Sequence, residues 1–226
     1  MCFHASKARY PVGITEEGFG LVVENEGGAW TKFCQDVAGK KQCDTFSFAF
    51  IALSGDTSFE PLTVTVRDIL QPDGRHHYLI VEVPLGSYLV TAGLSIILGK
   101  DLRESLGKIK DTKQLNQMAD STGVVLEWAT CSRGTCSAAR EVSTDLINRL
   151  KEANSTMHVA LISSGRELEI YNMRLRGFRE AIEGAGLSEV ERNVFLERFS
   201  RLKEKINKEW PSIVKKASPE GKKKTK

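Results

Sequence analysis

Hydrophobic and polar residues alternate with a period of two in several stretches of the chain. Such alternation predicts β-strands with one buried face, because successive side chains point to opposite sides of a strand. Three of these stretches follow one another, at Phe46 to Phe50, Leu62 to Val66 and Leu79 to Val83. The dipeptide Asp73-Gly74 between the second and third stretches suits a hairpin turn. The pattern predicts a meander in which one face of each strand is buried.

Further strands are predicted downstream of this meander. The segments are Tyr88 to Leu98, Val124 to Trp128, Met157 to Ile162 and Leu168 to Met173. The last two are expected to form a second hairpin across the turn Ser163 to Arg166. Several short strands separated by turn signals favour an all-antiparallel sandwich or barrel. We therefore predict a mainly β fold, an antiparallel β-sandwich with one short packed helix and a C-terminal amphipathic helix.

Helical spacing of apolar residues marks the two predicted helices. The short one is indicated by a stripe at Val142, Leu146, Ile147 and Leu150, which is expected to pack on the sheet. The long one is predicted from Ser188 to Trp210. Its apolar residues are Val190, Val194, Phe195, Phe199, Leu202, Ile206 and Trp210.

The ends of the long helix also have sequence signals. Ser188 followed by Glu191 forms a capping box, and Pro211 is expected to end the helix. Because an isolated helix must bury its apolar stripe, we expect it to dock on the sandwich, with a partner helix or a membrane interface as alternatives.

The predicted domain organisation follows from the glycines Gly184 and Gly186, which separate the long helix from the strand-rich part. Residues 1–20 are predicted as a flexible N-terminal segment, residues 21–182 as the β-sandwich domain and residues 183–226 as a helical basic tail.

The composition is that of an ordinary globular protein. The 226 residues are 41% hydrophobic and 27% charged, which excludes a wholly disordered chain and a multi-span membrane protein. The uncharged stretch from Pro84 to Gly99 contains three glycines and is shorter than the ~18 apolar residues that span a bilayer. The first ten residues lack the apolar run of a secretory signal, so we expect either no export or a leader absent from this sequence.

Charge is distributed unevenly along the chain. Residues 198–226 contain eleven Lys or Arg and three Glu, a net charge of +8, whereas the protein as a whole carries +3 and the remaining residues therefore −5. This asymmetry indicates an anionic contact for the tail, to anionic lipid or polysaccharide, with a solvated helix face running into a disordered end as the alternative. The lysines expected to make this contact are Lys215, Lys216, Lys222, Lys223, Lys224 and Lys226.

Four of the five cysteines form two local pairs in the sequence, Cys34 with Cys43 and Cys131 with Cys136. Four cysteines allow three connectivities and spacing alone does not choose among them, although the local pairings assume no long-range contact. Zinc sites use ligand pairs closer together than these, which disfavours a metal. Disulfides require an oxidising compartment.

Several segments together resemble the bacterial invasion-associated locus B family, over residues 21–182. They are Trp30 to Cys34 with Cys43, Val83 to Leu89 running to Gly93, Cys131 to Ala138, and Leu175 to Phe178 through Ala181. Three features depart from the family pattern: the missing leader, the extra Cys2 and the basic tail beyond Gly184.

The resemblance implies an exported, β-rich protein linked to interaction with host cells, and it implies no reaction. The expected location is the periplasm or cell envelope, with secretion included. The protein or envelope component that it binds is not identified by the sequence. The resemblance implies that the four paired cysteines, Cys34, Cys43, Cys131 and Cys136, are structural residues.

No catalytic, cofactor-binding or metal-binding residue is assigned from the sequence. The available bases are His4, His76, His77 and His158, and no nucleophile elbow or zinc-protease helix accompanies them. His76 and His77 are expected to be solvated turn residues pointing to opposite faces, whereas His158 is expected to pack or to face solvent. An enzyme or enzyme inhibitor remains the alternative function, and the acidic body disfavours a nucleic-acid-binding protein.

Two further predictions concern cysteines and tryptophans. We predict disulfides Cys34–Cys43 and Cys131–Cys136, because each pair is close in sequence within a turn-rich segment, and this pairing leaves Cys2 free. Trp30 and Trp128 are predicted to be mostly buried near the paired cysteines.

Overall fold

The structure is a computed structural model that describes eight parts of the chain. They comprise residues 30–52, 59–84, 93–99, 109, 112–132, 134–153, 156–162 and 168–217.

Strands dominate these described residues. The strands are β1 (Thr31–Val37), β2 (Lys40–Ala52), β3 (Phe59–Gln71), β4 (Gly74–Pro84), β5 (Leu94–Leu98), β6 (Val124–Cys131), β7 (Thr135–Val142), β8 (Thr156–Ile162) and β9 (Leu168–Arg174). The helices are α1 (Thr112–Thr122), α2 (Thr144–Glu152), α3 (Phe178–Glu183) and α4 (Glu189–Ala217).

All nine strands belong to one sheet in the order β1-β2-β3-β4-β7-β6-β5-β8-β9. Every neighbouring pair is antiparallel. The predicted meander is β2-β3-β4, and the predicted second hairpin is β8-β9, whose turn lies outside the described residues. The mainly β, antiparallel fold class is therefore confirmed.

The sheet curls so that its two edges approach each other. Strand β6 pairs with β5 through its first half and with β7 through its second, and its register shifts between Trp128 and Thr130. A bulge of this kind bends a strand and increases its twist. At the far edges, Trp30 Nε1 beside β1 donates a hydrogen bond of 2.7 Å to the carbonyl oxygen of Arg174 at the end of β9. The curled sheet therefore has an inner face that encloses the core.

The core consists of the aliphatic residues of the inner face together with two short helices. From β3 and β4 come Leu62, Val64, Val66, Leu79, Val81 and Val83, all fully buried. Helix α2 contributes Leu146, Ile147 and Leu150, as its stripe predicts, and it begins at Thr144 because the Ser143 hydroxyl caps it by accepting from the Leu146 N–H. Helix α3 adds Phe178 and Ile182 to the same core.

The phenylalanines of β2 lie on the face of the strand that points away from the core. Thr45 and Ser47 occupy the inner face, and Thr45 is only 1% exposed. Phe46 and Phe48 lie half-buried on the outer face, where they contact the C-terminal helix. The alternation itself is correct, but β2 is covered on both sides, so its apolar face does not identify the core.

The helices differ from the prediction in number and length. Helices α1 and α3 were not predicted, and α1 packs on the other side of the sheet through Leu115 and Ala119. Helix α4 continues through Pro211 to Ala217, although Pro211 was expected to end it. A proline removes one backbone hydrogen bond, but its φ near −65° is compatible with a helix, so the backbone continues.

The predicted strand from Tyr88 to Leu98 is described only from Gly93 onward, and there β5 begins at Leu94. Residues 85–92 lie outside the described part of the chain, and so do residues 1–29 and 218–226.

Candidate functional site

The structure forms both predicted disulfides, and each joins residues directly opposite each other in a hairpin. Cys34 pairs with Cys43 across β1 and β2, and Cys131 pairs with Cys136 across β6 and β7. In the first hairpin, Ala38 has φ 51° and Gly39 has φ 76°. Left-handed conformations at both positions suit a two-residue turn, which sets the register that brings the two cysteines together.

The first disulfide lies beneath the connection between α3 and α4. Gly186 packs so closely on it that a Cβ atom at this position would lie 2.9 Å from Cys34 Sγ. The next residue, Leu187, donates its N–H to the carbonyl oxygen of Lys32 at 2.8 Å and bridges to Phe33. A glycine is therefore needed at 186 for the connection to cross the disulfide.

Lys32 fixes the preceding end of this connection. Its Nζ donates to the carbonyl oxygens of Ile182 and Gly184 at 2.7 and 3.0 Å, which lie at the C-terminal end of α3. These oxygens lack partners within the helix, so the ammonium group acts as a cap. Burial lowers the pKa of Lys32, and the nearby Asp68 carboxylate partly opposes that change.

Helix α4 begins with the predicted capping box. The Glu191 carboxylate accepts from the Ser188 backbone N–H at 2.8 Å and from the Ser188 hydroxyl at 2.7 Å, while the Ser188 hydroxyl accepts from the Glu191 N–H at 3.4 Å. These hydrogen bonds lower the pKa of Glu191. The helix therefore has a defined start directly after the connection that covers the first disulfide.

The part of the predicted apolar stripe that contains Phe195 and Phe199 docks on the outer face of the sheet, whereas Val190 and Val194 at its start are 73% and 42% exposed. Phe195 is 6% exposed and makes edge contacts with Phe33 and Phe46, at 5.7 Å between ring centroids in each case. One turn later, Phe199 contacts Phe48 at 4.6 Å. These five rings form an aromatic cluster that holds the first half of the helix on β1 and β2.

A row of basic residues, which we call the basic face, lies along α4 beside the docked stripe: Arg198, Arg201, Lys205 and Lys208. They recur at intervals of three and four residues, so they lie on one side of the helix, and all four are exposed. Arg201 pairs with Glu197 on the same helix. Because the apolar stripe is occupied by the sheet, these cations point to solvent.

The tail lysines are only partly within the described residues. Lys215 and Lys216 lie in the last turns of α4, whereas Lys222, Lys223, Lys224 and Lys226 lie outside. The basic face was not predicted as a separate feature, although the spacing of its residues in the sequence is the signal that would have identified it.

The structure places His76 and His77 on opposite faces, as predicted, but His77 is not solvated. His77 is buried on the inner face, where its Nδ1 lies 2.6 Å from Asp68 Oδ1. A histidine oriented by a carboxylate is one part of a catalytic triad. Within the described part of the chain, no Ser, Thr or Cys side chain is hydrogen-bonded to this histidine.

His76 lies on the outer face between two carboxylates. Its Nδ1 is 2.8 Å from Glu141 Oε1, and its Nε2 is 3.2 Å from Asp73 Oδ1. These two contacts raise the pKa of His76, the Glu141 hydrogen bond contributing most, and the His76 contact lowers the pKa of Asp73. Across the ranges that the structure describes, no group of three or more potential metal ligands occurs.

The remaining predicted residues are packing residues. Trp30 is buried and contacts the Phe178 ring edge-on at 4.8 Å, and Trp128 is half-buried against the core. His158 is buried on β8, with Nε2 3.3 Å from the Gly99 carbonyl oxygen. None of the helices in the described segments has the length and apolar character needed to cross a membrane.

The fold and the disulfides together define the class of protein. It has a curled antiparallel sheet, a disulfide within each of two hairpins, and a basic helix docked on the outer face. Residues 111–186 match the model of the family described as Invasion associated locus B (IalB) protein, which confirms the resemblance found in the sequence. The match covers about a third of the chain, includes Cys131–Cys136 and stops just before α4. No curated protein and no solved structure matches the chain.

Proposed function

We propose that this protein acts outside the cytoplasm, at the cell envelope, as a binding protein without catalytic activity. The observation that carries the proposal is the pair of disulfides, since each joins facing residues of neighbouring strands and such bonds persist in oxidising compartments. The family match at residues 111–186 supports the same location and an association with invasion.

The location is tested by trapping the cysteines in intact cells. Cells producing the protein from its own locus are quenched in acid, fractionated and treated with a thiol-alkylating reagent. We expect the protein in the periplasmic or secreted fraction with Cys34, Cys43, Cys131 and Cys136 protected from alkylation until a reductant is added. Recovery in the cytoplasm with all four alkylated would contradict the proposal.

We further propose that the basic face of α4, continued by the tail lysines, is the surface that contacts anionic lipid headgroups of the envelope. Support comes from its exposure: the aromatic cluster holds the helix on the sheet through Phe195 and Phe199, and the four cations of the basic face remain accessible to a partner. Each basic residue near an anionic membrane contributes about 1 kcal/mol, and salt screens the attraction.

Matched variants can measure this contact in vesicle co-sedimentation. The test variant replaces Arg198, Lys205 and Lys208 by Gln. The control variant replaces three exposed cations of the body, Lys41, Arg75 and Lys113, by Gln and so has the same net charge. On anionic vesicles at low salt, the test variant is expected to bind about a hundredfold more weakly than the unmodified protein, because three contacts are lost.

The controls distinguish a local surface from overall charge. Neutral vesicles and high salt are expected to abolish binding of every variant, and the control variant is expected to bind anionic vesicles nearly as well as the unmodified protein. If vesicle binding is weakened equally in the two variants, or does not depend on salt concentration, the basic face of α4 is not the contact surface. Binding to anionic polysaccharide but not to anionic vesicles would contradict the lipid contact and indicate polysaccharide as the partner.

A further inference from the structure

The two disulfides have the same local geometry but different surroundings. In both, the cysteines face each other across an antiparallel hairpin. Cys43 is 9% exposed, and Cys34 is half-buried with its sulfur packed against Gly186. The covering connection is itself fixed, by the hydrogen bond from Leu187 to Lys32 and by the docked helix that follows. The backbone of the connection therefore covers part of this disulfide and restricts the approach of an incoming thiolate.

The second disulfide lies at the open end of its hairpin. Cys131 is exposed, and so are its neighbours Thr130 and Ser132 and the turn residue Gly134. A Cβ atom added at Gly134 would meet no atom within 4 Å, so the turn is open. Cys136, by contrast, is 8% exposed and packs on the inner face. The two sulfurs thus differ in access, and Cys131 is the one that a thiolate can approach.

The hairpin does not depend on this disulfide for its register. The Ser132 N–H donates to the Thr135 carbonyl oxygen at 2.9 Å, closing the turn through the backbone. Strand β7 is also paired with β4 over eight positions, from Pro84 with Thr135 to His77 with Val142. These backbone hydrogen bonds do not require the cross-link, so we expect the sheet to stay in place when the cross-link opens.

We propose that Cys131–Cys136 is a thiol-exchange site that takes a low-molecular-weight thiol, whereas Cys34–Cys43 is a protected structural bond. The incoming thiolate attacks Cys131 Sγ, the bond between the two protein sulfurs breaks, and its electron pair passes to Cys136 as a thiolate. A mixed disulfide then joins Cys131 to the small thiol.

A second thiol completes the reaction. Its thiolate attacks the sulfur of the bound small thiol, which releases the disulfide of the small molecule and leaves Cys131 as a thiolate. Over both steps the protein disulfide gains two electrons and two protons, and the two small thiols are oxidised to one disulfide. The co-reactant is the thiol itself, so the step requires no further oxidant or reductant.

The test is a redox titration of the full chain with glutathione as the probe. A Cys2→Ser background removes the fifth cysteine as an internal thiol. Protein is equilibrated at graded ratios of reduced to oxidised glutathione, quenched in acid, alkylated and mapped by mass spectrometry of its peptides. We expect Cys131 and Cys136 to become alkylated at a ratio at least tenfold lower than Cys34 and Cys43 require, with the glutathione adduct on Cys131.

Circular dichroism at the half-reduction point is the structural control. We expect an unchanged β-sheet spectrum when only Cys131–Cys136 is open. Simultaneous opening of both disulfides, earlier opening of Cys34–Cys43, an adduct on Cys136, or loss of the sheet on reduction would each overturn the proposal. The measurement is made without substituting any paired cysteine, so it does not rely on a variant that could fail to fold.

Discussion

His76 is the residue whose charge the structure ties most directly to stability. Glu141 and Asp73 raise its pKa above the ordinary 6.5, so the folded protein binds a proton at this site more tightly than the unfolded chain. The stabilisation is fully present below pH 6.5 and is lost as the pH rises through the higher folded pKa.

The direction of this pKa shift gives the first prediction. The NMR-measured pKa of His76 is expected above 6.5, and Glu141→Gln is expected to lower it more than Asp73→Asn does, because the Glu141 hydrogen bond is the larger cause. The stability lost in His76→Gln should be largest below pH 6.5 and diminish above it. A pKa at or below 6.5, or one that Glu141→Gln leaves unchanged, would contradict the assignment.

Lys32 is the second residue with a measurable role. Lys32→Met removes the donor to the Ile182 and Gly184 carbonyl oxygens, and oxygens left without a donor cost about 1 to 3 kcal/mol of unfolding free energy. The exposed Lys41 provides the control, since Lys41→Met is expected to change stability by less than about 0.5 kcal/mol. Urea denaturation measures both, and equal effects would refute the capping role.

Among the elements, α4 depends most on a few side chains. Phe195→Ala removes the central ring of the aromatic cluster and is expected to cost about 3 kcal/mol, whereas Val190→Ala, at a position 73% exposed, should change little. Detachment of the helix is expected to appear as faster proteolysis within α4 in the first variant alone. Similar cleavage rates in both would show that the cluster does not anchor the helix.

The elements that the sequence predicts well are those set by local periodicity. The β2-β3-β4 meander and the start of α4 follow from alternation and from a capping box. The order in which β4, β7 and β6 pair does not follow, because contacts between strands distant in sequence leave no periodic signal. The core side of β2 is also undetermined, since period two defines two faces without naming the inner one.

The pairing of Asp68 with His77 was missed although the sequence contains its signal. The turn at Pro72 and Asp73 joins Gln71 to Gly74, and counting outwards from that pair places position 68 opposite position 77. Register fixed by a short turn therefore predicts side-chain pairs as well as strands. The basic face of α4 could also have been predicted, because the helix and the basic residues of the tail are both evident in the sequence.

At the scale of the whole molecule, substitution of Trp30 tests how strongly the two edges of the curled sheet are held together. Trp30→Phe keeps an aromatic ring against Phe178 but loses the hydrogen bond to Arg174, so it is expected to cost about 1 kcal/mol. Trp30→Ala loses both contacts and is expected to cost about 3 to 5 kcal/mol. Unfolding midpoints compare the two, and equal costs would mean that the bond between the edges contributes nothing.

The position of Gly186 over the first disulfide also sets an order of events in biosynthesis. Once the connection lies across Cys34, it covers part of that half-buried residue and restricts the approach of an oxidising enzyme. Cys34 and Cys43 precede Gly186 in the chain, so their hairpin is synthesised, and can be oxidised, while the covering segment is still being made. A chain that folds its C-terminal helix onto a reduced hairpin is therefore expected to hold two partly covered thiols, which oxidise more slowly than those of the uncovered hairpin.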